Sequence, residues 1–251
     1  MFYRFKARQL HIDVAFAKNQ SGNNILKLPG LPSLPREDPF TAFCQEQGIN
    51  VFIPHYFGSW LSDGLFTPEN CLTTVKQALE FIRRQGAKEL YNNSVMRWRV
   101  NDIVLCGSSF GGFMALKYTS ISKITKCGLF APLIDLQSQG TIGGEEKMVH
   151  TLKFVRSVYK NAFRGIERRD WDDFFSGKSG ESMISSLNLT GKSLFICHGT
   201  ADPTINIKHT TNFVGSLDKT KVKYFEIKNA NHKIWDFLPR KLLGEFKTFL
   251  T

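Results

Sequence analysis

The sequence predicts the α/β class: a three-layer sandwich with helices on both faces of a mostly parallel, eight-stranded sheet. Three observations carry this. Strand-like and helix-like runs alternate along the chain, as βαβ units require. The later strand-like runs are almost continuously apolar and rich in Val, Ile, Leu and Phe, as strands covered on both faces must be. A chain of 251 residues, 42% hydrophobic and 22% charged, is long and apolar enough to bury one large core.

The elements follow in order. FYRFKARQ and LHIDVAFA open the chain and suit an antiparallel hairpin. ILKL (25–28) precedes a helix over 38–47, and INVFIP (49–54) precedes one over 69–85. DIVLCG (102–107) leads into a helix over 112–120, and ITKCGLFA (124–131) is the sixth strand-like run. KSLFICHG (192–199), a helix over 206–217, KVKYFEIK (221–228) and a helix over 236–250 complete the series. The last helix shows amphipathic spacing from Trp235: W-x-F-L-x-x-x-L-L-x-x-F-x-x-F-L.

Residues 134–185 break the rhythm. They hold no strand, but they do hold a helical stretch, EEKMVHTLKFVRSVYKNAF, and an aromatic-acidic one, RRDWDDFFSG. A helical insertion between the sixth and seventh strands, packed over the site as a lid, reads this way; a helical excursion with no such role is the alternative. No repeat, low-complexity tract or linker divides residues 1–251, so a single domain is expected.

The formal net charge is +11, but the basic residues are scattered. The tightest pairs, Arg83-Arg84 and Arg168-Arg169, extend into no run, so a solvated basic surface is expected, with no nucleic-acid or membrane partner. The five cysteines lack C-x-x-C spacing and three lie in apolar runs, which points to free thiols in a reducing compartment. MFYRFKARQLHIDVAF lacks the apolar core of a signal peptide, and no segment is apolar enough to span a bilayer. A cytoplasmic protein is the expectation.

The chemistry begins at VLCGSSFGGFMALKY (104–118). An apolar strand enters a Gly/Ser turn and a helix leaves it. Gly107 and Gly111 flank Ser109 at ±2, the G-x-S-x-G spacing of a nucleophile elbow. The sharp turn needs small neighbours there, and Ser108, with Cys106 and Phe110 at ±2, fails the test. Two more pieces follow in order. HGTADP turns at Asp202 after one strand and NANHKIW turns at His232 after the next. Nucleophile, acid and base thus each stand past the carboxyl end of their own strand, where open α/β sheets gather their sites.

These three motifs give the chain a resemblance, over essentially its whole length, to the α/β-hydrolase-fold serine hydrolases. YFGSWLSDGLFTPENCLTTVKQALEFI adds a likeness to the segment after the fourth strand in the esterase, serine aminopeptidase and prolyl-oligopeptidase-like branch. The resemblance implies the three-layer α/β-hydrolase fold with a helical lid insertion. It also implies a triad in which Ser109 attacks, His232 takes its proton and Asp202 orients the imidazole. Asp135, past the sixth strand, is the rival acid. The oxyanion hole is expected from the backbone N–H groups of Phe110 and Leu31. There the sequence departs from its relatives, since KLPGLPSLP carries Pro29 where a histidine is usual, and Pro32 has no N–H to give.

His198 falls within the acid motif and is expected to pack or bond locally. His11, His55, His150 and His209 show no metal-ligand spacing, so no metal is expected. GSSFGG matches neither G-x-G-x-x-G nor the P-loop, so no nucleotide cofactor is expected either. The expected activity is hydrolysis of a small-molecule carboxylic ester or thioester through an acyl-enzyme. An aminopeptidase-like amide hydrolase and a non-catalytic ligand-binding module of the same fold are the alternatives.

Overall fold

The structure, a computed structural model, describes residues 2–34, 36–136, 138–145, 147–176, 178, 187–217, 221–236 and 238–250. The hairpin forms as the alternation suggests, β1 (Phe2–Ala7) antiparallel to β2 (Leu10–Ala15). β3 (Asn23–Leu28), β4 (Asn50–Pro54), β7 (Asp102–Ser109), β8 (Lys126–Pro132), β9 (Ser193–Gly199) and β10 (Val222–Ile227) complete an eight-stranded sheet. Its order is β1-β2-β4-β3-β7-β8-β9-β10, and every pairing from β4 onward is parallel. The expected mostly parallel sheet is therefore present. β5 (Gly86–Lys88) and β6 (Val95–Arg97) form a separate small ribbon that hydrophobic patterning did not reveal, being too short to show a period.

Helices α1 (Pro39–Glu46), α2 (Pro68–Arg83), α3 (Phe110–Ile121), α6 (Ile207–Gly215) and α7 (Arg240–Leu250) fall within or beside the expected ranges. Local chemistry sets their ends. Asp38 and Thr67 cap α1 and α2, each accepting a backbone N–H of the first turn and each followed by proline in that turn. α2 stops short of residue 85, where Gln85 adopts a positive φ of 59°. α7 starts at Arg240 because Pro239 suits a helix entry and not an interior; Ile234–Asp236 form only a 3-10 turn.

Two apolar cores flank the sheet. One gathers Phe5, Phe52, Phe81 and Trp98 with the inner faces of α2 and α3; the other gathers Phe40, Phe130, Phe195, Phe246 and Phe249 beneath α1 and α7. All five cysteines are buried free thiols, and burial pushes each thiol pKa upward. No helix among the described residues is long and apolar enough to cross a membrane.

The insertion holds α4 (Met148–Val158), a 3-10 turn (Lys160–Ala162) and α5 (Arg169–Phe175); residues 179–185 of the expected stretch lie outside the described residues. Backbone bonds stitch it to the segment after β4: Trp60 N donates to Ala162 O (2.8 Å), Arg164 N to Gly58 O (2.7 Å) and Phe66 N to Arg164 O (2.6 Å). Trp171 stacks on Phe66 at 4.6 Å between ring centroids, and its Nε1–H donates to Phe66 O.

Candidate active site

Ser109 ends β7 and precedes α3 with φ 54° and ψ −126°, a conformation that costs a residue bearing a Cβ. The flanking glycines are sterically required. A Cβ on Gly107 would lie 2.1 Å from Gly111 O, and one on Gly111 would lie 2.2 Å from Leu28 O. The β7–β8 register shifts between Ser108, paired with Phe130, and Ser109, paired with Pro132, and both serines line a cavity. Ser109 is half-buried, and that cavity measures about 670 Å³.

His232 lines the same cavity. Its Nδ1 donates to Asp202 Oδ2 at 2.8 Å, which leaves Nε2 as the ring's accepting nitrogen. The Asp202 side chain is fully buried and its lone pairs are well used. Oδ1 accepts from Thr204 N (2.8 Å) and Ile205 N (3.0 Å), and His198 Nε2 stands 3.1 Å from Oδ2. Burial alone pushes this carboxyl pKa up. The hydrogen bonds from His198 and His232, the attraction to His232 and the bond from Ile205 N outweigh it and hold the group well below the usual range. The carboxylate bonded to His232 is that of Asp202, and not that of its rival Asp135.

The acid turn and the histidine loop are built as one piece. Ala201 N donates to Ala230 O (3.0 Å), Thr200 N to Ile227 O (3.0 Å), and Asn229 N to Thr200 Oγ1 (2.8 Å). Asn229 takes a positive φ of 59° to make the bend, a conformation asparagine tolerates well.

The loop after β3 lies against the nucleophile. A Cβ on Gly30 would sit 3.3 Å from Ser109 Cβ and 3.9 Å from its Oγ. Leu31 lines the cavity, and Phe110, the first residue of α3, has an N–H outside the helical ladder. The YFGSW segment holds this loop in place: Tyr56 Oη–H donates to Pro29 O (3.2 Å) and Trp60 Nε1–H to Ser33 O (2.9 Å). At the rim, Arg36 Nη2 bonds both oxygens of Asp236 (2.9 and 3.1 Å), joining the loop after β3 to the turn after His232. Met148, Thr151 and Phe154 of α4, with Tyr159, form the opposite wall.

One cavity-wall group escaped sequence reasoning. Lys27 is buried at the end of β3, ion-paired with Asp38, bonded to Thr41 Oγ1 (3.0 Å) and set 4.8 Å over the Trp235 ring. Desolvation lowers its pKa, against the pull of Asp38. The signal was present as the single charge inside the apolar run ILKL. Among the described residues no cluster of His, Cys, Asp and Glu suits a metal ion.

No family model and no curated protein matches the sequence. Solved structures do match its fold. An α/β-hydrolase enzyme from a metagenome of Mar Chica lagoon sediment superposes with TM-score 0.68 at 14% identity, covering 98% of both chains. An esterase of Pyrococcus furiosus gives 0.67 at 16%, covering 100% of this chain and 89% of its own. Est1E from Butyrivibrio proteoclasticus gives 0.64 at 14%, covering 100% and 96%. The chain has the α/β-hydrolase fold.

Proposed function

We propose that the protein is a serine hydrolase that cleaves a carboxylic ester or thioester through an acyl-enzyme. The observation that carries this reading is one cavity onto which open both the strained elbow serine, Ser109, and His232, whose Nδ1 is held at 2.8 Å by a buried carboxylate. Ser109 Oγ attacks the carbonyl carbon while His232 Nε2 takes its proton, and the backbone N–H groups of Phe110 and Leu31 receive the developing oxyanion. Collapse breaks the bond to the leaving alcohol or thiol, which takes the proton from His232. Water, deprotonated by the same nitrogen, then attacks the acyl-enzyme and releases the acid and Ser109. Asp202 holds the tautomer and stays ionised throughout.

An aminopeptidase needs a free carboxylate to receive the substrate ammonium. The two that line the cavity, Asp38 and Asp236, already hold Lys27 and Arg36. The acidic residues of α5 are likewise engaged, Asp172 by Arg156, Asp170 by Arg168 and Asp173 by Arg169. This favours the ester reading over the amide one. α4 serves as the lid of a single-domain enzyme, and the five reduced thiols suit a cytoplasmic setting. The test is covalent labelling with a serine-reactive phosphonate beside a panel of esters, thioesters and aminoacyl amides. No label at Ser109 and no turnover on the panel overturns the reading in favour of a binding module.

A further inference from the structure

Asp202 serves two histidines. Beside His232, the ring of His198 on β9 stands with Nε2 3.1 Å from the same oxygen, fully buried and away from the cavity wall. We propose that His198 is a positioning residue for the catalytic pair: a neutral imidazole, fixed in one tautomer, whose Nε2–H anchors Asp202 Oδ2 and draws off part of its charge, so limiting how strongly the acid holds the His232 imidazolium. The inference rests on the triad reading above.

The tautomer follows from the neighbours. Nε2 faces two pure acceptors, Asp202 Oδ2 and the Ile205 carbonyl at 2.9 Å, so it carries the proton. Nδ1 faces Thr210 Oγ1 at 2.7 Å, and that hydroxyl is free to donate. With the hydroxyl donating, the ring bonds at both nitrogens without a net charge, as a fully buried site favours. Pinned at both ends, it cannot flip.

Its effect on the acid follows from electrostatics. Thr204 N and Ile205 N occupy Oδ1, so His232 relies on Oδ2, where His198 is the other donor. Without His198, the charge on that oxygen would face the His232 imidazolium alone and hold it more firmly. A second, neutral donor on the same oxygen spreads the charge and weakens that hold. Lys233 adjoins His232, Asp236 and Arg36 close the rim beside it, and Glu145 with His209 lies beyond the acid turn, at Asn206. Among the described residues no other charged side chain hydrogen-bonds Asp202, so of the bonds lost in a His198 substitution, those to Asp202, Ile205 O and Thr210 Oγ1, only the first acts on the acid directly.

The experiment is ¹⁵N NMR of histidine-labelled protein between pH 5 and 9, which needs no substrate, run beside the pH profile of kcat/KM. In the unaltered protein His198 should show the Nε2–H tautomer throughout. In His198→Phe the His232 ring should titrate about one unit higher, a roughly tenfold gain in proton affinity, and the acidic limb of kcat/KM should move with it. His198→Gln, whose amide reaches the same oxygen, should restore both, while His198→Asn, one methylene shorter, should behave like the Phe variant. Should His198→Phe fail to fold, the native tautomer and the Gln–Asn pair decide the matter. A His198 ring that titrates in this window, or folded variants that leave His232 unmoved, overturns the inference. Unlabelled Ser109 with the expected NMR behaviour overturns the hydrolase reading alone and leaves His198 as the anchor of the Asp202–His232 pair.

Discussion

Gly199 and Ala230 are in backbone contact: a Cβ added to the glycine would stand 2.2 Å from the alanine carbonyl oxygen. The loop that carries His232 therefore passes directly over the end of β9, and the glycine of HGTADP makes room for it. Gly199→Ala should push that loop away while the sheet stays intact. A displacement of about 1 Å at a catalytic group costs on the order of 10²-fold in turnover. Ester kinetics beside a thermal melt check this; unchanged turnover would show that the loop absorbs the methyl group.

Ser109 bears strain that glycine would relieve. Ser109→Ala should abolish phosphonate labelling and lower turnover by roughly four to six orders of magnitude, whereas Ser108→Ala should keep substantial activity. Ser109→Gly should be equally inactive yet melt about 2–4 °C higher, since a positive φ of 54° suits a residue without a Cβ. Peptide mapping of the adduct and differential scanning calorimetry read the two outcomes.

The acid imposes two pH dependences. Activity should be lost toward acid pH, where the base carries a proton and cannot take one from Ser109. Asp202→Asn should cost on the order of 10⁴ in turnover and Asp135→Asn little. The folded-state pKa of Asp202 is depressed, so its stabilising effect is present above the unfolded carboxyl value of about 3.9 and is lost as pH falls through the lower folded value. Urea titrations should accordingly show the stability gap between the native protein and Asp202→Asn narrowing below about pH 4.

Breaking the Lys27–Asp38 pair should be severe. Asp38→Ala leaves a buried ammonium uncompensated and removes the cap of α1, so a loss of about 3–5 kcal/mol is expected in chemical denaturation. Lys27 titrates lower in the folded protein than in the unfolded chain, so raising the pH toward 10 should recover part of that loss. Lys27→Met leaves the buried Asp38 carboxylate with only its bonds to Thr41 among the described residues, so it should also destabilise, though less than Asp38→Ala because the cap of α1 survives.

Substrate preference separates the two hydrolase readings. With both cavity carboxylates already paired, kcat/KM for short or medium acyl esters should exceed that for matched aminoacyl amides by at least about a hundredfold. Comparable rates, with the amide rate falling selectively in Asp172→Asn or Asp173→Asn, would move the reading to a peptidase.

The sheet, its flanking helices and the order Ser109, Asp202, His232 were legible because each rests on local pattern: continuous apolar runs, glycines at ±2 of a serine, polar turns after strands. The ribbon of β5 and β6 was not, since three-residue strands have no period to detect. Nor were pairings that depend on strand order. Lys27 meets Trp235, and Arg36 meets Asp236 across 200 residues, only once the far strands close the sheet. The second histidine on Asp202 was readable as a motif member, yet the sharing of one oxygen is a matter of ångströms.

The strand order also fixes which part of the proposed catalytic set is assembled last. The elbow is complete once β7, β8 and α3 have docked with β3, but its base hangs from β10, which touches the sheet only through β9. During synthesis at about 5–20 residues per second, the chain between Ser109 and His232 takes roughly 6–25 s to emerge. Until β10 pairs with β9, Ser109 stands in its elbow without the histidine that the proposed mechanism needs.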